Sequence, residues 1–157
     1  MKTLIVGLGN PILGDDGVGW KVAEEVCQQL PVDESVAIGY LSLGGISLME
    51  HLIGYDHAIL IDAFASDDEV GSIYMLQLKD LPNYSAFHIA SAHDTSLENA
   101  VELGRSLGAH LPKDIMVVAI ATHPIQDFSS ELSQRVAEAV PQAVQIVLDL
   151  LKQSVKS

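Results

Sequence analysis

The sequence predicts an α/β fold, with three α/β/α layers around a twisted, mostly parallel five-stranded sheet and one antiparallel edge strand. Three observations lead there. Short apolar runs of strand length alternate along the chain with stretches whose apolar residues recur at helical spacing, the pattern of a sheet covered by helices on both faces. Most of these runs are uniformly apolar, as strands buried on both faces are. One of them alternates apolar and polar residues instead, as an exposed edge strand does.

Each element is justified in order. Thr3–Leu8 (TLIVGL) is a buried strand closed by Gly9. Val18, Val22, Val26 and Leu30 form a helical stripe, which Pro31 ends. Val36–Leu41 is a second strand, and Ile46–Ile53 a short helix opened by Gly44 and Gly45. His57–Ala63 (HAILIDA) is a third buried strand. Ser72–Leu78 is the alternating edge segment. Leu97, Ala100, Val101, Gly104 and Leu107 mark a helix that starts near Ser96, and Asp114–Ala121 the last strand. Ser129–Lys152 is a long helical pattern that Pro141 is expected to kink or split.

Composition bounds the function. The 157 residues fit one domain, 1–157, and 48% are apolar, enough for a core. With 8 Lys and Arg against 21 Asp and Glu the formal net charge is −13, which opposes a nucleic-acid partner. No run approaches the ~20 apolar residues that span a bilayer, and the first apolar run is too short for a secretory signal. No membrane partner and a cytoplasmic location are the expectations. The single Cys27 forms neither an internal disulfide nor a multi-cysteine metal cage, and it lies next to the first helix's stripe as a packing residue.

In open α/β sheets, ligands sit outside the carboxyl ends of the strands. The polar residues there are Asn10, Asp15 and Asp16 after the first strand, Asp62 at the end of the third, and Thr122 and His123 after the last. Ser91-Ala92-His93-Asp94-Thr95 precedes the Leu97 helix. Gly7-Leu8-Gly9 is no dinucleotide fingerprint, because Ile12 stands where its third glycine belongs. Asp15 and Asp16 precede a helix, and one of them, with Asp15 the better candidate, reads as its cap. Asp62 closes five apolar residues, where a carboxylate is costly to desolvate unless it is paired or binds a cation. His93 can point into the same crevice, with His88 and His123 as rivals; His51 and His57 read as structural or exposed. Asp16, Asp62 and His93 together suit a first-row divalent cation with open positions. Their spacing is too long-range to be a motif by itself.

The stretch GLGNPILGDDGVG resembles the opening of the hydrogenase maturation endopeptidases, the processing proteases of nickel-iron hydrogenases. The match is carried by Gly7, Gly9, Asn10, Leu13, Asp15, Asp16, Gly17 and Gly19, and later by Gly44-Gly45, Asp62 and His93 in a Ser-x-His turn. Ala92 stands where many members have proline, Asp16 where some have glutamate, and Leu43 where an acidic residue often precedes the double glycine. The resemblance implies removal of the C-terminal extension of a hydrogenase large-subunit precursor after nickel insertion. It also implies Asp16, Asp62 and His93 as metal-binding and catalytic residues, and nickel supplied by the precursor rather than held by the protease. Gly44, Gly45 and Asp15 are the substrate-binding candidates, and Asp16 or Asp15 the candidate general base. A metal-binding assembly chaperone would use the same three residues. Leu4–Pro11 also resembles the opening of the peptidyl-tRNA hydrolases, but that family's following Thr-Arg-His-Asn pattern is replaced here by Asp15-Asp16-Gly17-Val18.

Overall fold

The computed structural model describes residues 1–66, 69–81, 84, 95–124 and 128–156. Five strands, β1 (Thr3–Leu8), β2 (Val36–Leu41), β3 (His57–Ala65), β4 (Ile73–Gln77) and β5 (Asp114–Thr122), form one sheet in the order β2-β1-β3-β5-β4. All neighbours are parallel except β4, which runs antiparallel to β5 at the edge. The helices are α1 (Val18–Gln29), α2 (Gly45–Leu52), α3 (Leu97–Ser106) and α4 (Gln134–Lys156). The expected three-layer, mostly parallel architecture with its antiparallel edge is the one observed.

The sheet splits the core in two. On one face Leu4, Val6, Leu8, Leu60 and Val117 pack against Leu48 and Leu52 of α2 and Leu97 and Val101 of α3. On the other, Ile5, Ile59, Ile61, Val118 and Ile120 meet Val18, Val22 and Val26 of α1 and Val140, Val144 and Val147 of α4. Both faces of β1 and β3 are therefore covered, which explains their uninterrupted apolar runs. Each large side chain sealed here, such as Leu60 or Ile61, contributes about 1.5–3 kcal/mol relative to exposure.

Two helical expectations change. Residues 129–133 lie outside α4, held by backbone pairing of Ser129 with Ile12 and Gly14. Pro141 does not split the helix, which runs unbroken from Gln134 to Lys156. Pro141 and Ala137, whose carbonyl loses its i+4 donor there, are both exposed, so that carbonyl is open to solvent while Val136, Val140, Val144 and Val147 stay buried. Cys27 is exposed rather than packed; the buried face of α1 stops at Val26.

The chain order makes a switch point. From β1 the chain crosses by α1 to β2 on one side; from β2 it crosses back by α2, on the opposite face, to β3 on the other side of β1. Crossovers that diverge in this way open a crevice above the carboxyl ends of β1 and β3. β1 ends at Leu8, with its last pairing to β3 at Gly7–Ile61, whereas β3 continues beside β5 through Ala65–Thr122. Asp62 is therefore not at the end of its strand, as the sequence suggests. It lies where β1 stops and β3 goes on.

Candidate functional site

The turn after β1 is built by its backbone. Gly9 has φ +132°, a conformation that L side chains rarely adopt, and a Cβ there would collide with the carbonyl oxygen of Asp16. The N–H of Asn10 donates to Asp16 Oδ2 at 2.8 Å, the N–H of Leu13 to the Asn10 carbonyl at 3.1 Å, and the N–H of Asp16 to the Leu13 carbonyl at 3.1 Å. These bonds fold residues 10–16 into a closed loop that leads through the 3-10 turn Gly14–Gly17 into α1. The loop is tied sideways to β2: Ser42 Oγ donates to the Gly9 carbonyl at 2.6 Å, and the N–H of Gly9 to the Leu41 carbonyl at 3.1 Å.

The two adjacent aspartates part company. Asp16 is half-buried and its Oδ2 serves the loop, as above. Asp15 is buried and turned toward the start of α4, where its two oxygens accept the N–H of Ser133 at 2.6 Å and the Ser133 hydroxyl at 2.8 Å. The expectation that one of the pair caps the following helix is corrected: neither the 3-10 turn nor α1 receives a side-chain cap. With both oxygens bonded at once, Asp15 anchors a distant segment instead.

Asp62 is 2% exposed. Its side chain lies on the face of Leu60 and Val117, and its Oδ2 accepts the phenol of Tyr84 at 2.8 Å. Burial first, then the negative charge of Asp62 and the hydrogen bond to it, push the Tyr84 phenol well above its ordinary value. The proton therefore stays on the tyrosine and the bond runs from phenol to carboxylate.

Gly44 is extended and Gly45 opens α2 with φ +52°. A Cβ on Gly45 would lie 3.3 Å from the carbonyl oxygen of Thr95, so at this glycine the close backbone neighbour is the segment just before α3. Ser96 caps α3 by accepting the N–H of Asn99 at 3.2 Å, in agreement with a helix start near Ser96. His93 and its rival His88 lie outside the described residues. His123 is exposed after β5. His51 is exposed on α2, and His57 is buried at the start of β3, on the opposite rim of the sheet. Among the described residues, no three His, Cys, Asp or Glu side chains converge as a metal-holding group.

The sequence profile described as hydrogenase maturation protease (HycI) matches residues 20–150. The chain belongs to the hydrogenase maturation protease family. A putative hydrogenase maturation protease of Methanocaldococcus jannaschii is 30% identical over 155 residues, covering 95% of this chain and 96% of that protein. The hydrogenase maturating endopeptidase HybD from E. coli superposes with a TM-score of 0.81 at 24% identity, over 98% of this chain and 94% of its own. The HybD maturation protease from Thermococcus kodakarensis does so with a TM-score of 0.66 at 26% identity, over 96% and 99%. The GLGNP opening therefore belongs here to a protease.

Two residues of this maturation protease escape its sequence motifs. Tyr84 and Ser133 hold the two buried aspartates from positions 22 and 118 residues away. The only hint of either is the rule that a buried carboxylate needs a donor, which predicts a partner without naming one. No helix among the described residues is long and apolar enough to cross a membrane.

Proposed function

We propose that this protease removes the C-terminal extension of a nickel-iron hydrogenase large-subunit precursor, and that it recognises the precursor by the nickel already inserted there. Family membership supports the cleavage. The observation that carries the recognition is Asp62, a carboxylate buried where β1 ends, with Asp16 in the turn that follows β1. A buried anion beside an open crevice is a costly arrangement that a bound cation offsets. Asp16, Asp62 and His93 supply two oxygens and an imidazole nitrogen, a donor set suited to nickel.

In this reading the metal arrives with the substrate and leaves with it. Gripping it fixes the scissile bond against the protease, a positioning effect that lowers the barrier by removing the search for geometry. Gly44, which carries no side chain and is half-buried, gives the substrate backbone room beside Gly45. Hydrolysis then joins water oxygen to the scissile carbonyl carbon and breaks the C–N bond. The water's proton passes by way of a carboxylate to the departing amine. Asp16 is the better base of the adjacent pair, because both oxygens of Asp15 are engaged by Ser133.

The test is mass spectrometry of precursor incubated with the protease. Nickel-loaded precursor should lose a C-terminal peptide and nickel-free precursor should not. Asp62→Ala should reduce processing to a trace measurable only at high protease concentration, while the far-ultraviolet circular dichroism stays native. Equal trimming of nickel-free precursor would sink the recognition by nickel and leave the protease assignment standing.

A further inference from the structure

Tyr84 is held in place by its backbone as well as its side chain. Its N–H donates to the Leu81 carbonyl at 3.0 Å, just after the 3-10 turn Leu78–Asp80. Its carbonyl accepts the N–H of Leu97, the first residue of α3, at 3.1 Å. Leu81 and Tyr84 both pack against the core cluster that contains Leu60, Leu97 and Val117. The phenol is thus delivered to Asp62 Oδ2 by a residue whose two backbone bonds and ring contacts are all formed in the protein alone.

A carboxylate on a strand still rotates about its last bond, and each rotation aims its oxygens differently. A donor fixed at 2.8 Å on one oxygen selects one orientation. The Tyr84 carbonyl bond also ties that donor to the amino end of α3, so a shift of α3 along its axis would be felt at Asp62.

We propose that Tyr84 is a positioning residue for the cleavage reaction: its hydroxyl fixes the plane of the Asp62 carboxylate, and its carbonyl couples that plane to the start of α3. This rests on the reading of Asp62 as a site residue. A merely structural tyrosine would contribute its ring and its backbone bonds, and its hydroxyl would affect stability alone.

The experiment is a double-mutant cycle of Tyr84→Phe and Asp62→Ala on nickel-loaded precursor. Tyr84→Phe removes one oxygen atom and keeps the ring and both backbone bonds. It should lower kcat roughly 10- to 100-fold, the usual cost of losing an outer partner of a site group. KM should rise alongside, because in this reading Asp62 also grips the nickel that the substrate carries. In the Asp62→Ala background the same change should alter the residual rate by less than about twofold. Independently of activity, the carboxyl ¹³C resonance of Asp62, assigned with Asp62→Asn, should move in Tyr84→Phe. A wild-type kcat in Tyr84→Phe, an equal fold-loss in both backgrounds, or an unmoved Asp62 resonance each overturns the proposal. A Tyr84→Phe protein that no longer folds does so too, by making the hydroxyl structural. If Asp62→Ala itself processes normally, the reading of the site has failed; if Asp62→Ala is dead and Tyr84→Phe is normal, the failure belongs to Tyr84 alone.

Discussion

The two rims of the sheet hold similar chemistry and use it differently. At the amino ends of the strands, His57 Nδ1 lies 3.3 Å from Asp114 Oδ2 and His110 Nε2 2.9 Å from Asp56 Oδ1. Those aspartates face histidines, and Asp114 and His110 are largely exposed. At the carboxyl ends, Asp16 accepts a backbone N–H, Asp15 an N–H and a hydroxyl, and Asp62 a phenol. The donors named here are neutral, and each fixes the orientation of the carboxylate oxygen it meets. The crevice that the crossovers open lies at the carboxyl rim.

The sharpest break of that comparison lies within the adjacent pair. Asp16→Asn should reduce processing by at least about 100-fold with little change in melting temperature, since an amide keeps the loop bond to Asn10 and is a poor cation ligand. Asp15→Ala should do the reverse, costing about 1–3 kcal/mol by stranding the Ser133 donors while the folded fraction still cuts. Asp15→Asn should be milder, because the Ser133 hydroxyl can turn to accept from the amide. Thermal melts and processing rates on the same preparations decide it; an inactive, fully stable Asp15→Asn would reverse the roles.

Next in size is Gly9→Ala. The added Cβ meets the Asp16 carbonyl at a backbone angle disfavoured for alanine, so roughly 2 kcal/mol of stability should be lost, together with most of the processing. A variant that loses stability and keeps full activity would show that Asp16 is not held by this turn.

The smallest effect is expected at the amino rim. The Lys2 N–H, and then His110, hold the Asp56 carboxyl below its ordinary value. A lowered value means that its contribution is present above the ordinary carboxylate range and is lost as pH falls through the folded value. Asp56→Asn should therefore flatten the acid side of the stability curve below about pH 4 and leave processing at neutral pH unchanged. Urea melts across that range read the first and precursor cleavage the second. A processing defect in Asp56→Asn would erase the distinction between the rims.

Legibility in the sequence followed the range of the forces. Thr3–Leu8 and Val36–Leu41 were readable to the residue, because each is a continuous, mostly apolar run of strand length, fully buried in β1 and half-buried at the edge in β2. Asp16 and Asp62 were readable as polar residues after or inside such runs. Asp15 was misread because adjacency suggests a cap, and only the fold brings Ser133 to it. Tyr84 was invisible for the same reason. Of the two outcomes expected at Pro141, the split did not occur, because the effect of a proline depends on which stripe of α4 it occupies, and the carbonyl it deprives is on an exposed residue. The extent of β3 beyond Asp62 was hidden because Phe64 and Ala65 gain their strand character from β5, not from their neighbours in sequence.

The bond between Asp15 and Ser133 also sets a clock. Asp15 leaves the ribosome before its anchor does, and that anchor lies 118 residues later. At about 5–20 residues per second, a ribosome needs roughly 6–24 s to supply it. During that interval β1 and its glycine turn exist without the hydroxyl and amide that hold Asp15 down. The opening segment carries the adjacent aspartates, and Asp15 stays unfastened until Ser133 emerges, so a growing or truncated chain has the motif without its clasp.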